Sequence, residues 1–210
     1  RFRNLDLSSK YDYFIIDGDW AMSGAKHNKP NMWYVHSPIR EIWDLYEYTR
    51  KNNVPWFARP VFDAWVKYNR YLNREYVKHV GTIVCNSVNT QNRVRKYLKR
   101  EATVINPPIE TKQFHYKKSE NYWLAVNRLI THKRVDMQMK AFAKMPDEKL
   151  IVVGCFEKSR HFEAYANYIK KIKPDNVTLL KSVPFDGLVN LYAKCKGFIT
   201  TSKNEDFGMT

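Results

Sequence analysis

The feature that most constrains the fold of this 210-residue chain is a regular alternation of short apolar runs with segments of helical periodicity. The apolar runs have the length of strands and are nearly continuous, without a polar residue at every second position. Such strands are buried on both faces, as in parallel sheets covered by helices. The sequence therefore predicts an α/β protein. The predicted strands are 11–17, 32–36, 81–86, 102–106, 122–127, 149–154, 177–181 and 197–201.

Helices are predicted between these strands. In the last two helices, 159–172 and 186–195, apolar side chains recur on one face, and Ser159 and Asp186 occupy the positions where an N-cap is expected. The predicted helices are 39–52, 56–79, 88–99, 159–172 and 186–195.

The stretch "NPPIETKQFHYKKSENY" at 106–122 interrupts the alternation with a proline pair and a polar run. It predicts a linker, placed at 109–120, between one domain at residues 1–108 and another at 121–210. Both domains are expected to be incomplete, because each half holds only a few strands and the last strand is followed by a short tail.

The net charge of +15 predicts an anionic partner, such as a phosphorylated small molecule, an acidic membrane surface or a nucleic acid. The charge is evenly spread: residues 1–110 hold 18 Lys and Arg against 11 Asp and Glu, and residues 111–210 hold 18 against 10. The basic cluster "NRVRKYLKR" at 92–100 fits the exposed face of a helix. Because no nucleic-acid-binding motif is present, a nucleic-acid partner is not expected.

Several classes of site are disfavoured. The chain has seven glycines and neither of the glycine-rich phosphate-binding motifs, nor a Gly-x-Ser-x-Gly elbow. Its six histidines lack metal-ligand spacing, and its three scattered cysteines predict buried thiols of a cytoplasmic protein. No apolar run approaches the ~18 residues of a membrane span. We therefore expect no metal site and no bound cofactor.

The segment "LAVNRLITHKRVD" at 124–136 places two cations where a buried strand gives way to a helix. Such a crossing faces the ligand crevice of doubly wound folds. The fork of Arg128 and the mobile charge of Lys133 suit a diphosphate. The alternative is a solvated loop with charges at a helix start.

Two other patches follow predicted strands. In "WYVHSPIREIWD" at 33–44, His36 ends an aromatic strand and Arg40 is expected one turn into a helix opened by the proline. His36 is a structural residue or a ligand-binding one. The closing "NEDFGMT" places Glu205 after the last strand, either in a simple turn or in a site.

These patches, in this order and spacing, resemble glycosyltransferase family 4, the retaining, nucleotide-sugar-dependent enzymes with the GT-B fold. The likeness is greatest to mannosyltransferase-like members that act in lipopolysaccharide and polysaccharide assembly, and it runs from about residue 11 to the end. It implies two Rossmann-like doubly wound domains that face each other across a cleft. The segments that carry it are "YVHSPIR", "VCNSVNTQNRVRKYLKREATVINPPIETKQF", "YWLAVNRLITHKRVDMQMKAFAKMPDEKLIVVG" and "LVNLYAKCKGFITTSKNEDFGMT".

The resemblance also implies roles for residues. Arg128 and Lys133 match the pair that contacts the donor diphosphate. Glu205 matches the carboxylate that contacts the donor sugar, and the backbone after it, Phe207, Gly208 and Met209, would lie against sugar and phosphates. His36 would lie near the transferred sugar. Arg40 is not assigned by the resemblance; from its predicted position one turn into the helix, we expect it to reach the same crevice on the acceptor side.

The implied function is metal-independent transfer, with retention, of a hexose such as mannose from a GDP- or UDP-linked donor to a saccharide or lipid-linked acceptor. The alternative is a non-catalytic nucleotide-sugar-binding or scaffold protein of the same fold. The implied location is the cytoplasm, with peripheral contact at the inner face of the membrane.

The sequence departs from the family pattern at two places. The second glutamate of the closing motif would fall beyond Thr210, and the glycine-rich first loop is missing. Both departures lead us to expect a fragment that lacks both ends.

Overall fold

The structure is a computed structural model that describes residues 2–154 and 160–210. Its contacts divide the chain into two units, Arg1–Pro108 with Asp206–Gly208 and Ile109–Glu205 with Met209–Thr210. Each unit has its own parallel sheet and its own buried core, which confirms the predicted pair of α/β units. Within the described ranges, no helix is long and apolar enough to cross a membrane. Cys155 and the predicted cap Ser159 lie outside those ranges.

The described part of the first unit contains a four-stranded parallel sheet whose strands are hydrogen-bonded in chain order. The strands are β1 (Phe14–Asp17), β2 (Asn31–Val35), β3 (Thr82–Cys85) and β4 (Thr103–Val104). The helices are α1 (Tyr46–Asn52), α2 (Arg59–Tyr76) and α3 (Val88–Arg93), which continues as one turn of π-helix over Val94–Leu98.

The core of the first unit is built around β2, the strand between β1 and β3. Trp33 and Val35 are fully buried there. The side chain of Asn31, at the start of the strand, is also buried, and it is hydrogen-bonded rather than orphaned. Its amide nitrogen donates to the carbonyl of Asn28 at 2.6 Å, and its Oδ1 accepts from the backbone N–H of Gly81 at 2.9 Å. A polar residue is therefore tolerated in the core because its groups are paired.

The described part of the second unit contains a parallel sheet in the order β7-β6-β5-β8. The strands are β5 (Trp123–Val126), β6 (Leu150–Val153), β7 (Val177–Leu180) and β8 (Gly197–Phe198). The helices are α4 (Val135–Phe142), α5 (Arg160–Ile172) and α6 (Phe185–Lys194). Apolar residues of α4 and α5 pack with the strands in one buried hydrophobic cluster. Apolar residues of α6 pack in a second hydrophobic cluster.

The segment predicted as a linker contacts the second unit. The backbone N–H groups of Lys117 and Glu120 donate to the carbonyls of Ala193 and Lys194, each at 2.8 Å. The ring of Phe114 lies edge-on to the ring of Tyr192, with 5.7 Å between their centroids. Through these contacts, the segment that begins at Ile109 belongs to the second unit.

Two local predictions are wrong. Arg40 does not lie one turn into a helix: residues 40–45 form turns, and α1 begins only at Tyr46. Asp186 does not cap α6. The N-cap residue is Pro184, whose side chain cannot form a hydrogen bond, and Asp186 lies in the first turn instead. A carboxylate in that turn still interacts favourably with the helix dipole.

Candidate functional site

The loops after β5, β6 and β7 enclose a pocket of about 310 Å³ in the second unit. These loops lie at the carboxyl ends of parallel strands, where doubly wound sheets bind their ligands. Three cations line the pocket, namely Arg128, Lys133 and Lys181. Its remaining wall is largely apolar and includes Val126, Val153, Val183 and Leu188. A pocket of this kind suits a ligand that has both negative charge and an apolar part.

The sequence prediction placed Arg128 and Lys133 together, and the structure brings both to this pocket. Arg128 is exposed and follows β5 by two residues. Lys133 ends the 3-10 turn Thr131–Lys133, and Arg134 then adopts a left-handed conformation, φ 50°, immediately before α4. This turn places Lys133 just before α4, where the residue lines the pocket.

Lys133 forms an ion pair with Glu205, the predicted sugar-binding carboxylate. The distance from Nζ to Oε2 is 2.5 Å, and the two side chains are 16% and 35% exposed. Burial favours a raised pKa of Glu205, but hydrogen bonds from Lys133 and Ser202 and the charges of Lys133 and His132 outweigh it and lower that pKa. The carboxylate is therefore ionised at neutral pH.

A second set of contacts holds the loop after β8 against the start of α4. The hydroxyl of Thr201 donates to the carbonyl of Lys133 at 2.8 Å, and Arg134 Nε donates to the carbonyl of Thr201 at 2.6 Å. Gln138 of α4 donates to the Thr201 hydroxyl at 3.0 Å. These hydrogen bonds fix the two loops that carry Lys133 and Glu205, so their ion pair has a preorganised frame.

The ion pair lies where the strand order of the second sheet reverses. From β5 the chain proceeds outward to β6 and β7, and it then returns to place β8 on the other side of β5. Lys133 follows β5 and Glu205 follows β8. A reversal of this kind opens the crevice in which α/β sheets bind ligands.

Asn127 lines the same pocket and was not among the predicted site residues. It is only 6% exposed, and its side-chain nitrogen has no hydrogen-bond partner among the described residues. A buried polar group without a partner is costly, and most are paired in folded proteins. The signal in the sequence was a polar residue directly after the apolar run of β5.

Lys181 was also missed. It follows β7, which ends at Leu180, and it is exposed at the pocket. Only the strand order places the end of β7 beside that of β6, and that order could not be read from the residues.

The closing residues are divided between the two units. Contacts group Phe207 and Gly208 with the first unit and Met209 with the second. Gly208 has a φ of +77°, a conformation that favours glycine. Among the described residues that line the pocket, Thr210 is present, whereas Phe207, Gly208 and Met209 are not.

His36 and Arg40 both lie in the first unit. His36 is exposed, its Nε2 is 3.0 Å from Asp17 Oδ1, and its ring lies edge-on to Tyr34. Arg40 donates twice to one carboxylate oxygen of Asp44, from Nε at 3.1 Å and from Nη2 at 2.8 Å, and its side chain is 13% exposed. Arg40 is thus largely engaged in holding its own turn.

Two parallel α/β units, the second with a charged pocket at its strand ends, define a GT-B fold. Two solved structures support this class. Anabaena HepE, crystallised with UDP and glucose, aligns with a TM-score of 0.63 at 15% identity over 91% of this chain and 53% of its own. TarM aligns with a TM-score of 0.56 at 12% identity over 90% of this chain and 36% of its own. At these identities, the likeness shows the fold.

One sequence comparison concerns the second unit, and another covers nearly the whole chain. Residues 108–210 match the family described as glycosyl transferases group 1. The O-antigen chain mannosyltransferase RfbU of Salmonella typhimurium is 23% identical over 231 aligned residues. That alignment covers 97% of this chain and 65% of RfbU, so the chain spans less than two thirds of this relative.

Proposed function

We propose that this chain acts in a retaining glycosyltransferase of family 4, which moves a hexose from a nucleotide sugar to a saccharide or lipid-linked acceptor. The observation that carries the proposal is the Lys133–Glu205 pair at the strand-order reversal of the second sheet, whose lysine lines the same pocket as Arg128. The match of residues 108–210 to glycosyl transferases group 1 supports it. The likeness to RfbU, described as a mannosyltransferase, favours mannose as the hexose.

The chemistry needs stabilisation of a leaving group. When the bond between the anomeric carbon and the phosphate oxygen breaks, its electron pair stays with the diphosphate. Arg128 and Lys133 would neutralise this charge, as preorganised cations do in other transfer reactions. Lys181, which lines the same pocket, would add a third positive charge. We propose that these cations make the transfer independent of a metal ion.

The other predicted residues have positioning roles in this proposal. Glu205, ionised at neutral pH, would accept hydrogen bonds from sugar hydroxyls. The backbone of Phe207, Gly208 and Met209 would lie against the sugar and phosphates. His36 would contact the transferred sugar, and Arg40 would act on the acceptor side through the turn it holds with Asp44.

The direct test is calorimetric titration of the chain with GDP, UDP, GDP-mannose and UDP-glucose. We expect one nucleotide sugar to bind with a 1:1 stoichiometry. If none of these compounds binds, the proposal is wrong. Binding without transfer in the complete protein, with acceptor supplied, would instead identify a nucleotide-sugar-binding protein without catalytic activity.

Arg128→Ala should weaken binding of that ligand at least ~10-fold, because a charge-assisted hydrogen bond to phosphate is lost. Transfer by the complete protein should fall at least ~10²-fold. Arg95→Ala is the matched control, since Arg95 is exposed in the first unit and paired with Glu101. Equal affinity in the wild type and Arg128→Ala would contradict the diphosphate role.

Transfer should also persist in EDTA, and the product anomer, determined by NMR, should match that of the donor. We place the protein in the cytoplasm, at the inner face of the membrane, because both a nucleotide sugar and a lipid-linked acceptor can be reached there.

A further inference from the structure

The first unit has a cavity of its own, of about 280 Å³, between helix α2 and the 3-10 turn Trp20–Lys26 that follows β1. The described residues that line this cavity all belong to the first unit, and none of them lines the pocket of the second unit. The proposed transfer reaction gives this cavity no role. We call it the α2 cavity.

Two buried asparagines of α2 line the α2 cavity. Asn69 and Asn73 are 8% and 6% exposed and lie one helical turn apart, on the same face. The side-chain nitrogen of Asn69 donates to the carbonyl of Trp65 at 2.9 Å. The side-chain amide of Asn73 forms no hydrogen bond with the residues that the structure describes.

This pair of asparagines is unfavourable for the fold alone. Asparagine is a poor helix former, and a buried amide without a partner costs free energy. A leucine at position 73 would serve both the helix and the core better. Residues that conflict with their local structure in this way are expected at functional sites, where a ligand supplies the missing partner.

The charged groups at the α2 cavity are few and opposite in sign. Asp19 and Arg3 both line it, and neither forms an ion pair with another described residue. The Asp19 carboxylate accepts only the backbone N–H of Trp20, at 3.2 Å. Because the two charges balance, the cavity does not select an anion, whereas the pocket of the second unit is lined by three cations.

The remaining wall of the α2 cavity is apolar and partly aromatic. Trp20 is 49% exposed there, and its ring centroid lies 6.2 Å from that of Trp65, which supports it. Met22, Leu72 and Tyr76 also line the cavity. A flat ring at the opening, with amide and carboxylate groups beside it, suits a neutral ligand that has an apolar face and a polar edge.

We propose that the α2 cavity binds one ring of a neutral saccharide. The C–H face of a pyranose packs on an indole ring, and its hydroxyl groups both donate and accept hydrogen bonds. Asn73 can do both, the Asp19 carboxylate accepts, and the Arg3 guanidinium donates. The inference goes beyond the proposed function, because binding here requires neither a nucleotide nor transfer of a sugar.

The test is saturation-transfer NMR of the chain with methyl α-mannoside, methyl α-glucoside and an α-linked mannobiose, with affinities from titration. The wild type should bind at least one of these saccharides. Trp20→Ala should weaken this binding at least ~5-fold, because the stacking surface is lost. Trp56→Ala is the matched control, since Trp56 is 78% exposed in the same unit and does not line the cavity.

Asn73→Leu should also weaken saccharide binding at least ~5-fold, because the ligand loses a hydrogen-bond partner. The melting temperature of this variant should stay the same or rise, since leucine favours a helix and no unpaired amide remains. Asn92→Leu is the matched control, because Asn92 is exposed on α3. It should bind the saccharide like the wild type.

The proposal is overturned if the wild type shows no saturation transfer with any of the three saccharides. It is also overturned if Trp20→Ala and Asn73→Leu bind like the wild type, or if the two controls lose as much affinity as these variants. Arg128→Ala separates this site from the proposed donor site: it should keep saccharide binding, and Trp20→Ala should keep the calorimetric affinity for the nucleotide ligand. Loss of saccharide binding in Arg128→Ala would assign the saccharide to the pocket of the second unit and overturn the proposal.

Discussion

The side chain of Asn127 is buried at the pocket with an amide nitrogen that has no partner in the described part of the chain. An unpaired buried donor lowers the stability of the ligand-free protein. It is tolerated where a ligand supplies the acceptor, and phosphate and sugar oxygens are both acceptors. Asn127 directly precedes Arg128, so its side-chain N–H can reach a phosphate oxygen or a sugar oxygen of the same ligand.

Asn127→Ala should therefore separate stability from binding. We expect the melting temperature of the ligand-free chain to stay the same or rise, because an unsatisfied donor is removed. Affinity for the nucleotide ligand should fall at least ~5-fold, the value of about one hydrogen bond. Thermal unfolding and calorimetry measure the two quantities. A lower melting temperature with unchanged affinity would show that Asn127 serves the fold alone.

At this scale, the sequence indicated residue types more reliably than contacts. The positions of Arg128, Lys133 and Glu205 after apolar runs left a functional and a structural interpretation open, and the family resemblance favoured the functional one; the structure places the three in the same unit. Their role remains a prediction. The ion pair between Lys133 and Glu205 could not be foreseen, because it depends on β8 lying beside β5. Arg40 was misplaced for a related reason: its partner Asp44 stabilises turns in a segment that has helical periodicity.

The chain segments just past the ends of β5 and β6 approach each other closely at the pocket, and a glycine makes this possible. A Cβ on Gly154 would lie 2.2 Å from the carbonyl oxygen of Asn127. That oxygen is backbone and cannot rotate away. The backbone N–H of Gly154 also donates to the carbonyl of Leu180 at 2.8 Å, so the residue is held from both sides.

Gly154→Ala should destabilise the chain by about 1–3 kcal/mol through overpacking. It should also weaken nucleotide binding, since the strand ends that support Asn127 and Arg128 must separate. Denaturant unfolding is the measurement. Gly187→Ala in α6 is the control: its Cβ would meet atoms only at 3.7 and 3.8 Å, and alanine favours a helix, so its stability should stay or rise. Equal stability of the two variants would contradict the close approach.

The elements themselves were largely predictable. All eight predicted strands are present, because a continuous apolar run of four to six residues between helical segments leaves few alternatives. The ends of the strands were less predictable. In the run predicted at 197–201, only Gly197–Phe198 forms a strand, and Thr201 is instead hydrogen-bonded to Lys133, just before α4. The order of the strands depends on pairing between distant segments, which periodicity does not encode.

The whole chain consists of two units with separate cores, and the proposed donor pocket belongs to the second alone. A ligand that binds only the folded form stabilises the unit that holds it. Elements that open independently show this stabilisation separately in hydrogen exchange.

At a ligand concentration 100 times Kd, exchange of the slowest amides in β5 and β6 should slow about 100-fold. The slowest amides of β2 and β3 should change far less. Hydrogen exchange read by mass spectrometry, with Arg128→Ala as the unresponsive control, makes the comparison. Equal slowing in both sheets would show that the ligand is not held by the second unit alone.

The net charge of +15 was interpreted from the sequence as a sign of an anionic partner without a location. The structure places three of the cations, Arg128, Lys133 and Lys181, at one pocket. Composition could not give this location, because lysines and arginines are evenly spread along the chain.

The ion pair of Lys133 with Glu205 has a consequence for selectivity. The carboxylate of Glu205 is the counter-ion of Lys133, so a phosphate that binds Lys133 competes with it. Under the proposed function, a nucleoside diphosphate without a sugar displaces Glu205 and offers it no donor in return. A nucleotide sugar brings hydroxyl groups that can compensate the displaced carboxylate. The exchange of one counter-ion for another thus favours the intact donor over the spent nucleotide, which eases release of the product.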